Sequence, residues 1–223
     1  MKDLLFPNTC CLCGKLVDDG PVICRDCMDN LPRTEQGAQR DNLTEALFYD
    51  MPKFQRGAVF MFFEHGDKYH KMIHKMKYDK FPNPQIGYLL GREAGYEFLQ
   101  SEFFDEIDVL IPVPLHPRRL RERGFNQAEW ICRGLSEATY LPVESDVLIR
   151  KRYNLKQALM DKMERIKNVK GIFAVNHPEK LRGKHVLLVD DVITTGATLR
   201  SCMETLQPIR GCKVSVFGLG KVR

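Results

Sequence analysis

The chain has 223 residues, of which 43% are apolar, and a formal net charge of +5. A chain of this length can build one sizeable core and has room for one small additional module. Acidic and basic residues are interspersed, so the net charge alone does not indicate a nucleic-acid-binding protein. The sequence has neither the pattern of a signal peptide nor a run of about 20 apolar residues. We therefore expect a cytoplasmic protein without membrane insertion, whose eight cysteines do not form disulfides.

Two C-x-x-C pairs lie near the N-terminus. Cys10 and Cys13 form the first pair, Cys24 and Cys27 form the second, and the ten residues between the pairs allow a hairpin that brings them together. Four thiolates suit tetrahedral Zn²⁺, and the metal would stabilise a segment too short to form its own core. The spacing predicts a structural zinc ribbon, with a dithiol redox pair or buried free cysteines as the alternatives.

The other four cysteines are not predicted to bind metal. Cys11 could replace Cys10, but the first pair would then be C-x-C, so we interpret Cys11 as a spare thiol. Cys132, Cys202 and Cys212 lie among apolar residues, as expected for thiols of a hydrophobic core.

Strand-like and helix-like patterns alternate in the rest of the chain. We expect a zinc-ribbon module over residues 1–35, a polar, aperiodic connection over residues 36–55 and a larger domain over residues 56–223. Short apolar runs predict strands over Gly57–Phe63, Val109–Val113, Val186–Val189 and Val214–Leu219. Helical spacing predicts helices over Tyr69–Met76, Ile86–Leu99, Asn126–Ala138 and Thr198–Leu206. Such alternation predicts an α/β domain with a parallel sheet flanked by helices, which binds ligands at the carboxyl ends of its strands.

One predicted strand leads directly into an acidic pair and a threonine-rich turn. The segment Val186–Thr198 reads VLLVDDVITTGAT. The carboxylates of Asp190 and Asp191 can accept hydrogen bonds from vicinal ribose hydroxyls or help to hold Mg²⁺. Backbone N–H groups, hydroxyls and a helix N-terminus in the turn can bind a phosphate. The turn residues are Thr194, Thr195, Gly196, Ala197 and Thr198.

The same segment lacks the glycine and lysine spacing of a Walker A loop and the G-x-G-x-x-G of a dinucleotide site. A helix N-cap beside two solvated aspartates is the alternative interpretation. The segment closely resembles the phosphoribosyl-pyrophosphate signature of type I phosphoribosyltransferases, in which an apolar strand leads into an acidic pair and a T-G-x-T turn. The resemblance implies that the acidic pair binds ribose and the turn binds its 5-phosphate, with Mg²⁺ in the complex.

A second candidate site follows the predicted strand Val109–Val113. The segment Pro114–Ala128 reads PLHPRRLRERGFNQA, and its prolines predict a loop rather than the start of a helix. Its arginines can bind pyrophosphate, contact a nucleic-acid backbone or form a solvated charged surface. In phosphoribosyltransferases the corresponding strand precedes the pyrophosphate loop, and this resemblance extends the candidates to the neighbouring residues. The candidates are Leu115, His116, Arg118, Arg119, Arg121 and Arg123.

Further segments extend the resemblance over nearly the whole chain. The four-cysteine N-terminus, IPVPLHPRRLRERGFNQAEWIC, RKRYNLKQ, NVKGIF and VLLVDDVITTGAT together resemble the ComF competence-protein family. The resemblance implies a type I phosphoribosyltransferase-like fold, an N-terminal zinc finger and a link to the uptake of transforming DNA. Arg165 and Asn168 fit the R-x-x-N segment of the family, whereas Asn154 replaces its usual threonine, so no hydroxyl role is implied there. Residues Arg150–Lys167 are the candidate for a mobile lid.

The histidines outside these motifs include His70, His74 and His185. His70 and His74 have an i, i+4 spacing that can hold a metal, but lysines surround them and no third ligand is evident. We expect no metal there, and we expect His185, which precedes an apolar strand, to be structural.

Two main functions are compatible with these patterns. The first is a ComF-like protein that binds phosphoribosyl pyrophosphate with Mg²⁺ and supports competence, with single-stranded DNA and DNA-uptake proteins as further partners. The second is an active phosphoribosyltransferase of nucleotide metabolism that releases pyrophosphate, although the sequence identifies no acceptor pocket and no catalytic residue. A zinc-stabilised scaffold without a ligand is a third interpretation. We expect the first function, and the oligomeric state stays open.

Overall fold

The predicted strands and helices occur in the predicted order, and the structure adds two short α-helices and two short strands. The structure is a computed structural model that describes residues 9–17, 22–78, 82–151 and 171–223. The strands are β1 (Phe54–Phe63), β2 (Val109–Pro112), β3 (Leu148–Arg150), β4 (Phe173–Val175), β5 (His185–Val192) and β6 (Lys213–Val222). The α-helices are α1 (Arg25–Asp29), α2 (Lys68–Tyr78), α3 (Gln85–Phe98), α4 (Pro117–Arg123), α5 (Gln127–Thr139) and α6 (Ala197–Leu206).

Four of the strands form a parallel sheet in the order β1-β6-β5-β2. The first five residues of β5 are buried, as expected for a strand that is covered on both faces. Since all four strands run in the same direction, their carboxyl ends meet at one edge of the sheet. The prediction of a parallel α/β sheet is confirmed.

Helices cover both faces of this sheet. On one face α3 and α5 pack so closely that a Cβ atom at Gly134 would collide with the carbonyl oxygen of Tyr88. Leu187 and Val189 of β5 share a hydrophobic cluster with these two helices. On the other face, Leu188 of β5 belongs to a second cluster with residues of α6. Alternate residues of one strand therefore supply two cores, which explains its continuous apolar run.

The N-terminal cysteine segment packs against the main domain. Ile23, Met28 and Leu31 belong to the same hydrophobic cluster as Met72 and Met76 of α2. The segment thus adds apolar residues to a core that it cannot build alone.

The polar connection over residues 36–55 buries several of its polar side chains, and these are hydrogen-bonded. The side chain of Gln36 accepts hydrogen bonds from the Thr44 hydroxyl at 2.7 Å and from the backbone of Val59 at 3.0 Å. Glu45 and Arg56 form a buried ion pair at 2.9 Å. These pairings satisfy polar groups that would otherwise be costly to bury, so the polar sequence here is packed against the sheet.

The expected arginine loop is wrong in part, because its centre is helix α4. Pro117 occupies the first turn of this helix, where its fixed φ angle is favourable and no N–H donor is needed. The His116 side chain accepts a hydrogen bond from the backbone N–H of Arg118 at 3.2 Å and so caps the helix.

The antiparallel pair β3 and β4 was not predicted, because each strand has only three residues. Of the predicted lid Arg150–Lys167, only Arg150 and Lys151 belong to the described residues; Asn154, Arg165 and Asn168 lie outside them. The expected core thiols Cys132, Cys202 and Cys212 are buried. Within the described ranges, none of the helices combines the length and apolar character needed to cross a membrane.

Candidate functional site

A cavity of about 530 Å³ lies at the carboxyl edge of the parallel sheet. All four strands contribute to its lining, through Phe63 at the end of β1, Val113 after β2, Asp190 in β5 and Val222 at the end of β6. The cavity therefore occupies the position at which open parallel sheets bind ligands.

The acidic pair lies in the wall of this cavity. The backbone N–H of Asp191 donates to the Asp190 carboxylate at 2.9 Å. Burial and then the charge of Asp191 raise the pKa of Asp190 to about 7. The ammonium group of Lys77 pairs with Asp191 at 2.7 Å, with the two side chains only 17% and 15% exposed. The two carboxyl groups thus differ, since one has a raised pKa and the other is paired with a cation.

The turn after β5 has a backbone shape that depends on glycine. Gly196 has a φ angle of 73°, in the left-handed region that L-residues rarely adopt. A Cβ atom at Gly196 would also lie 2.7 Å from the ring of Phe48. Helix α6 begins at the next residue, and Asp190 with residues 192–199 surrounds a recess of about 50 Å³. This arrangement places the N-terminus of α6 beside the acidic pair. A helix N-terminus can bind an anion.

The cavity lining also contains part of the arginine cluster. Leu115, Arg119 and Arg123 line the cavity, whereas Arg118 and Arg121 are exposed. Arg118 forms an ion pair with Glu122 at 2.9 Å. The helical periodicity of α4 explains the division, because Arg119 and Arg123 are four residues apart on one face.

Two buried donors near these arginines were not predicted as site residues. Gln127 lines the cavity, accepts a hydrogen bond from Arg123 at 2.5 Å, and has its Nε2 buried without an acceptor among the described residues. Arg150 also lines the cavity, and its Nε is likewise buried without a described partner. Burial, and then the charge of Arg119, lowers the pKa of Arg150. Both guanidinium groups line the cavity and can bind an anion there.

Helix α2 brings further residues to the cavity that the sequence did not assign to this site. His70, His74 and Lys77 line it, together with His65 from the preceding turn. The rings of His65 and His70 are 5.2 Å apart. The sequence shows that His70, His74 and Lys77 have the i, i+4 and i, i+3 spacings of one helix face. It does not indicate which site that face lines. In the described part of the chain, the four ribbon cysteines form the only group with metal-binding geometry.

The four cysteines form a separate site in the N-terminal segment. The Sγ atoms of Cys10, Cys13, Cys24 and Cys27 all lie within 4.8 Å of one another, and those of Cys13 and Cys24 are 3.7 Å apart. Bonds of about 2.3 Å to a tetrahedral Zn²⁺ require sulfur atoms about 3.8 Å apart, so the donor set fits zinc.

The protonation of Cys10 favours a metal, whereas burial and hydrogen bonds with the other ribbon thiols raise the pKa of Cys27. Burial raises the pKa of Cys10, but hydrogen bonds from the backbone of Cys24, Cys13 and Leu12 lower it by more, to about 6. Cys11 lies outside the cluster of four, and burial, with the charge of Cys10, raises its pKa to about 12. Cys10 is therefore suited to the thiolate form that binds metal, and Cys11 is not.

Comparisons with known proteins agree with both parts of this architecture. The double zinc ribbon domain family matches residues 1–38, and the phosphoribosyl transferase domain family matches residues 123–217. The DNA utilization protein YhgH of Shigella flexneri is 26% identical over 213 residues, which cover 94% of this chain and 88% of the relative. Competence protein ComFC of Bacillus subtilis is 36% identical over 116 residues, which cover 52% of this chain and 45% of the relative.

A solved structure of a glutamine phosphoribosylpyrophosphate amidotransferase from Bacillus subtilis is similar with a TM-score of 0.42 and 23% identity, covering 65% of this chain and 30% of that one. The assignment rests on the domain families, the named relatives, the parallel sheet and the clustered thiols. The chain belongs to the ComF family, with a double zinc ribbon followed by a phosphoribosyl transferase domain.

Proposed function

We propose that this chain binds phosphoribosyl pyrophosphate with Mg²⁺ and supports competence-type uptake and processing of transforming single-stranded DNA. We also propose three parts, namely the zinc ribbon over residues 1–35, a connection over residues 36–55 and the ligand-binding domain over residues 56–223. The observation that carries the ligand assignment is that one cavity joins an acidic pair, an anion-binding turn and inward-facing arginines.

Each part of the ligand has a chemical counterpart in this cavity. The recess at the start of α6 suits the 5-phosphate, because Thr194, Gly196 and the helix N-terminus surround it. Asp190 and Asp191 can accept hydrogen bonds from the ribose hydroxyls. Arg119 and Arg123 then remain for the pyrophosphate, which their planar guanidinium groups can bind through two oxygens at once.

Mg²⁺ should bind to this site together with the ligand rather than to the protein alone. Asp190 and Asp191 supply hard oxygen atoms, but Lys77 already pairs with Asp191. Mg²⁺ usually binds through one or two carboxylates together with substrate phosphates and water. We therefore expect the ion to arrive with the pyrophosphate, where it would neutralise negative charge.

Calorimetric titration with Mg²⁺ and phosphoribosyl pyrophosphate tests the ligand assignment. The double variant Asp190→Ala/Asp191→Ala should lose at least about 100-fold in affinity, because hydrogen bonds to charged groups contribute about 1.5–3 kcal/mol each. Asp105→Ala, which removes an exposed carboxylate outside this cavity, is the control and should bind normally. Absence of binding by the unsubstituted protein would refute the assignment.

The DNA part of the proposal is supported by the named relatives and by basic residues of α2 and α4. The relatives are called DNA utilization and competence proteins. Helix α2 has the sequence KYHKMIHKMKY, with no acidic residue, and Arg118 and Arg121 are exposed on α4. Helix α2 and the exposed arginines of α4 can both contact a phosphodiester backbone.

Binding of a fluorescent single-stranded oligonucleotide across a salt series tests this part. We expect affinity to fall steeply with salt, and Arg118→Ala/Arg121→Ala to weaken binding and reduce the salt slope by up to about two. Binding of phosphoribosyl pyrophosphate should be unchanged in this variant. Salt-independent DNA binding, or none, would contradict the proposal.

An active phosphoribosyltransferase is the second candidate. The observation that favours it is the group His65, His70 and His74 in the cavity lining, because imidazoles commonly act as general acids or bases near neutral pH. The enzyme would displace pyrophosphate from the ribose anomeric carbon by a base or amine. Pyrophosphate release measured across a panel of such acceptors distinguishes the two candidates, since binding without release for every acceptor supports the first.

A further inference from the structure

Helix α2 lies between the zinc ribbon and the ligand cavity. On the ribbon side, the Lys75 ammonium group donates to the carbonyl oxygen of Cys11 at 3.1 Å. The Tyr69 hydroxyl donates to the carbonyl oxygen of Asn30 at 2.9 Å. Both contacts join α2 to the backbone around the metal-binding cysteines.

Apolar packing reinforces these two hydrogen bonds. Met72 and Met76 of α2 are fully buried and share a hydrophobic cluster with Ile23, Met28 and Leu31 of the ribbon segment. A zinc ribbon depends on its metal to fold. Loss of zinc should therefore remove much of the surface that holds this side of α2.

The cavity side of the same helix contacts the acidic pair. Lys77 pairs with Asp191 at 2.7 Å, and both side chains are mostly buried. Lys77 and His70 also line the cavity. A flexible lysine side chain has a defined position here only if the helix that bears it is fixed.

We propose that Lys77 positions Asp191 for the ligand, and that the zinc ribbon keeps Lys77 in place by holding α2. If α2 shifts, Asp191 is left beside Asp190 without its cation, which is costly for a partly buried carboxylate. Zinc binding and ligand binding are then coupled, and the coupling is reciprocal, because each ligand must change the affinity of the other by the same factor. The ligand half of this inference rests on the proposed function, whereas the ribbon half does not.

Hydrogen–deuterium exchange of the full chain tests the ribbon half without any ligand. Zinc removal by a chelator should raise exchange in α2 (Lys68–Tyr78) much more than in α3 and α5. Equal protection of α2 with and without zinc would overturn the inference. Loss of protection in all three helices together would also overturn it, since that result indicates general unfolding.

Competition for zinc with a chromogenic chelator at equilibrium, with and without saturating Mg²⁺ and phosphoribosyl pyrophosphate, tests the ligand half. The ligand should raise the affinity for zinc about 10-fold, within the usual range of coupling between two sites. A ligand that binds the zinc-loaded and zinc-free proteins equally would overturn the coupling. A protein that binds no ligand at all would refute the proposed function, while the exchange experiment would still decide the ribbon half.

Single substitutions separate the two contacts of α2. Lys77→Met should keep its zinc, bind the ligand about 10-fold more weakly and show no effect of the ligand on its affinity for zinc. Lys77→Arg should recover part of both properties. Tyr69→Phe and Lys75→Met should bind the ligand but show weaker coupling. Lys71→Met removes an exposed charge of α2 that does not line the cavity, and its affinities for zinc and for phosphoribosyl pyrophosphate should match those of the unsubstituted protein. Unchanged affinity and unchanged coupling in Lys77→Met would overturn the role of Lys77.

Discussion

The residues that line the ligand cavity form two groups, which we call its continuous side and its assembled side, and the two are built in different ways. One side is the continuous segment from Asp190 to Thr198, in which β5 passes through a glycine-dependent turn into α6. The other side is assembled from separate elements, with Lys77 from α2, Arg119 and Arg123 from α4, and Arg150 from β3. Local backbone geometry shapes the first side, whereas tertiary packing brings the second together. Substitutions on the first side should therefore affect folding and binding together, and those on the second should affect mainly binding.

The largest effect is expected from Gly196→Ala on the continuous side. The left-handed backbone at Gly196 would be unfavourable for alanine, and the new Cβ would press on the buried ring of Phe48. We expect a loss of about 2–5 kcal/mol in the free energy of unfolding, from backbone strain together with overpacking. Ligand binding should fall as well, because the turn cannot keep its shape.

Gly171→Ala is a matched control for this substitution. Gly171 has a φ angle of 75°, close to that of Gly196, but among the described residues a Cβ there would meet no atom within 4 Å. The control should lose only the backbone contribution, about 1–2 kcal/mol. Thermal unfolding of both variants measures the difference, and equal losses would show that Phe48 does not support the turn.

On the assembled side, the two pairs of arginines in α4 should differ in their effect on ligand affinity. Arg119→Ala/Arg123→Ala removes the two guanidinium groups that line the cavity. We expect binding of phosphoribosyl pyrophosphate to weaken about 10- to 100-fold, with a small change in stability. Arg118→Ala/Arg121→Ala removes two exposed arginines of the same helix and should leave this binding unchanged. Calorimetric titration of the two variants checks the expectation. Similar losses of affinity would mean that the helix face on which an arginine lies does not determine its contribution to ligand binding.

The difference between the two sides also explains what the sequence could predict. Asp190, Asp191 and the turn were predicted because strand, acidic pair and phosphate-binding residues are adjacent in the chain. The four ribbon cysteines were predicted for the same reason, since their short spacing brings the Sγ atoms together. The inward direction of Arg119 and Arg123 was missed because the prolines suggested a loop, although a proline in the first turn favours a helix.

Other residues of the site have no local signal. Lys77 lies more than a hundred positions from Asp191 in the sequence, and only the packing of α2 beside the end of β5 brings them together. Phe48 supports Gly196 from a connection that the sequence showed only as polar and aperiodic. Gln127 belongs to the segment Pro114–Ala128, but its buried amide group becomes evident only in the folded chain. Such contacts depend on the tertiary fold.

A smaller effect, in the opposite direction, is expected from Asp190→Asn in the ligand-free protein. Burial and the charge of Asp191 raise the pKa of Asp190 to about 7, above the value of about 3.9 for an unfolded chain. Between these values the folded state holds a proton that the unfolded state releases, so the stability of the unsubstituted protein falls as pH rises through this range. Asparagine carries no such charge. Asp190→Asn should therefore be similar in stability at pH 4 and more stable above pH 7, by about 1–3 kcal/mol after allowance for partial exposure.

Asp108→Asn provides the opposite sign in the same experiment. The backbone N–H of His185 donates to the Asp108 carboxylate at 2.7 Å, and this hydrogen bond, with Lys184, lowers the pKa of Asp108. The stabilisation is present above the unfolded pKa and is lost as pH falls through the folded value, so Asp108→Asn should be less stable at pH 7. Melting temperatures from pH 4 to pH 8 check both variants. If both variants lose stability at pH 7, favourable contacts hold the acidic pair in place in the ligand-free protein. If only Asp108→Asn loses stability, the site keeps an unfavourable charge that a bound cation and ribose would relieve.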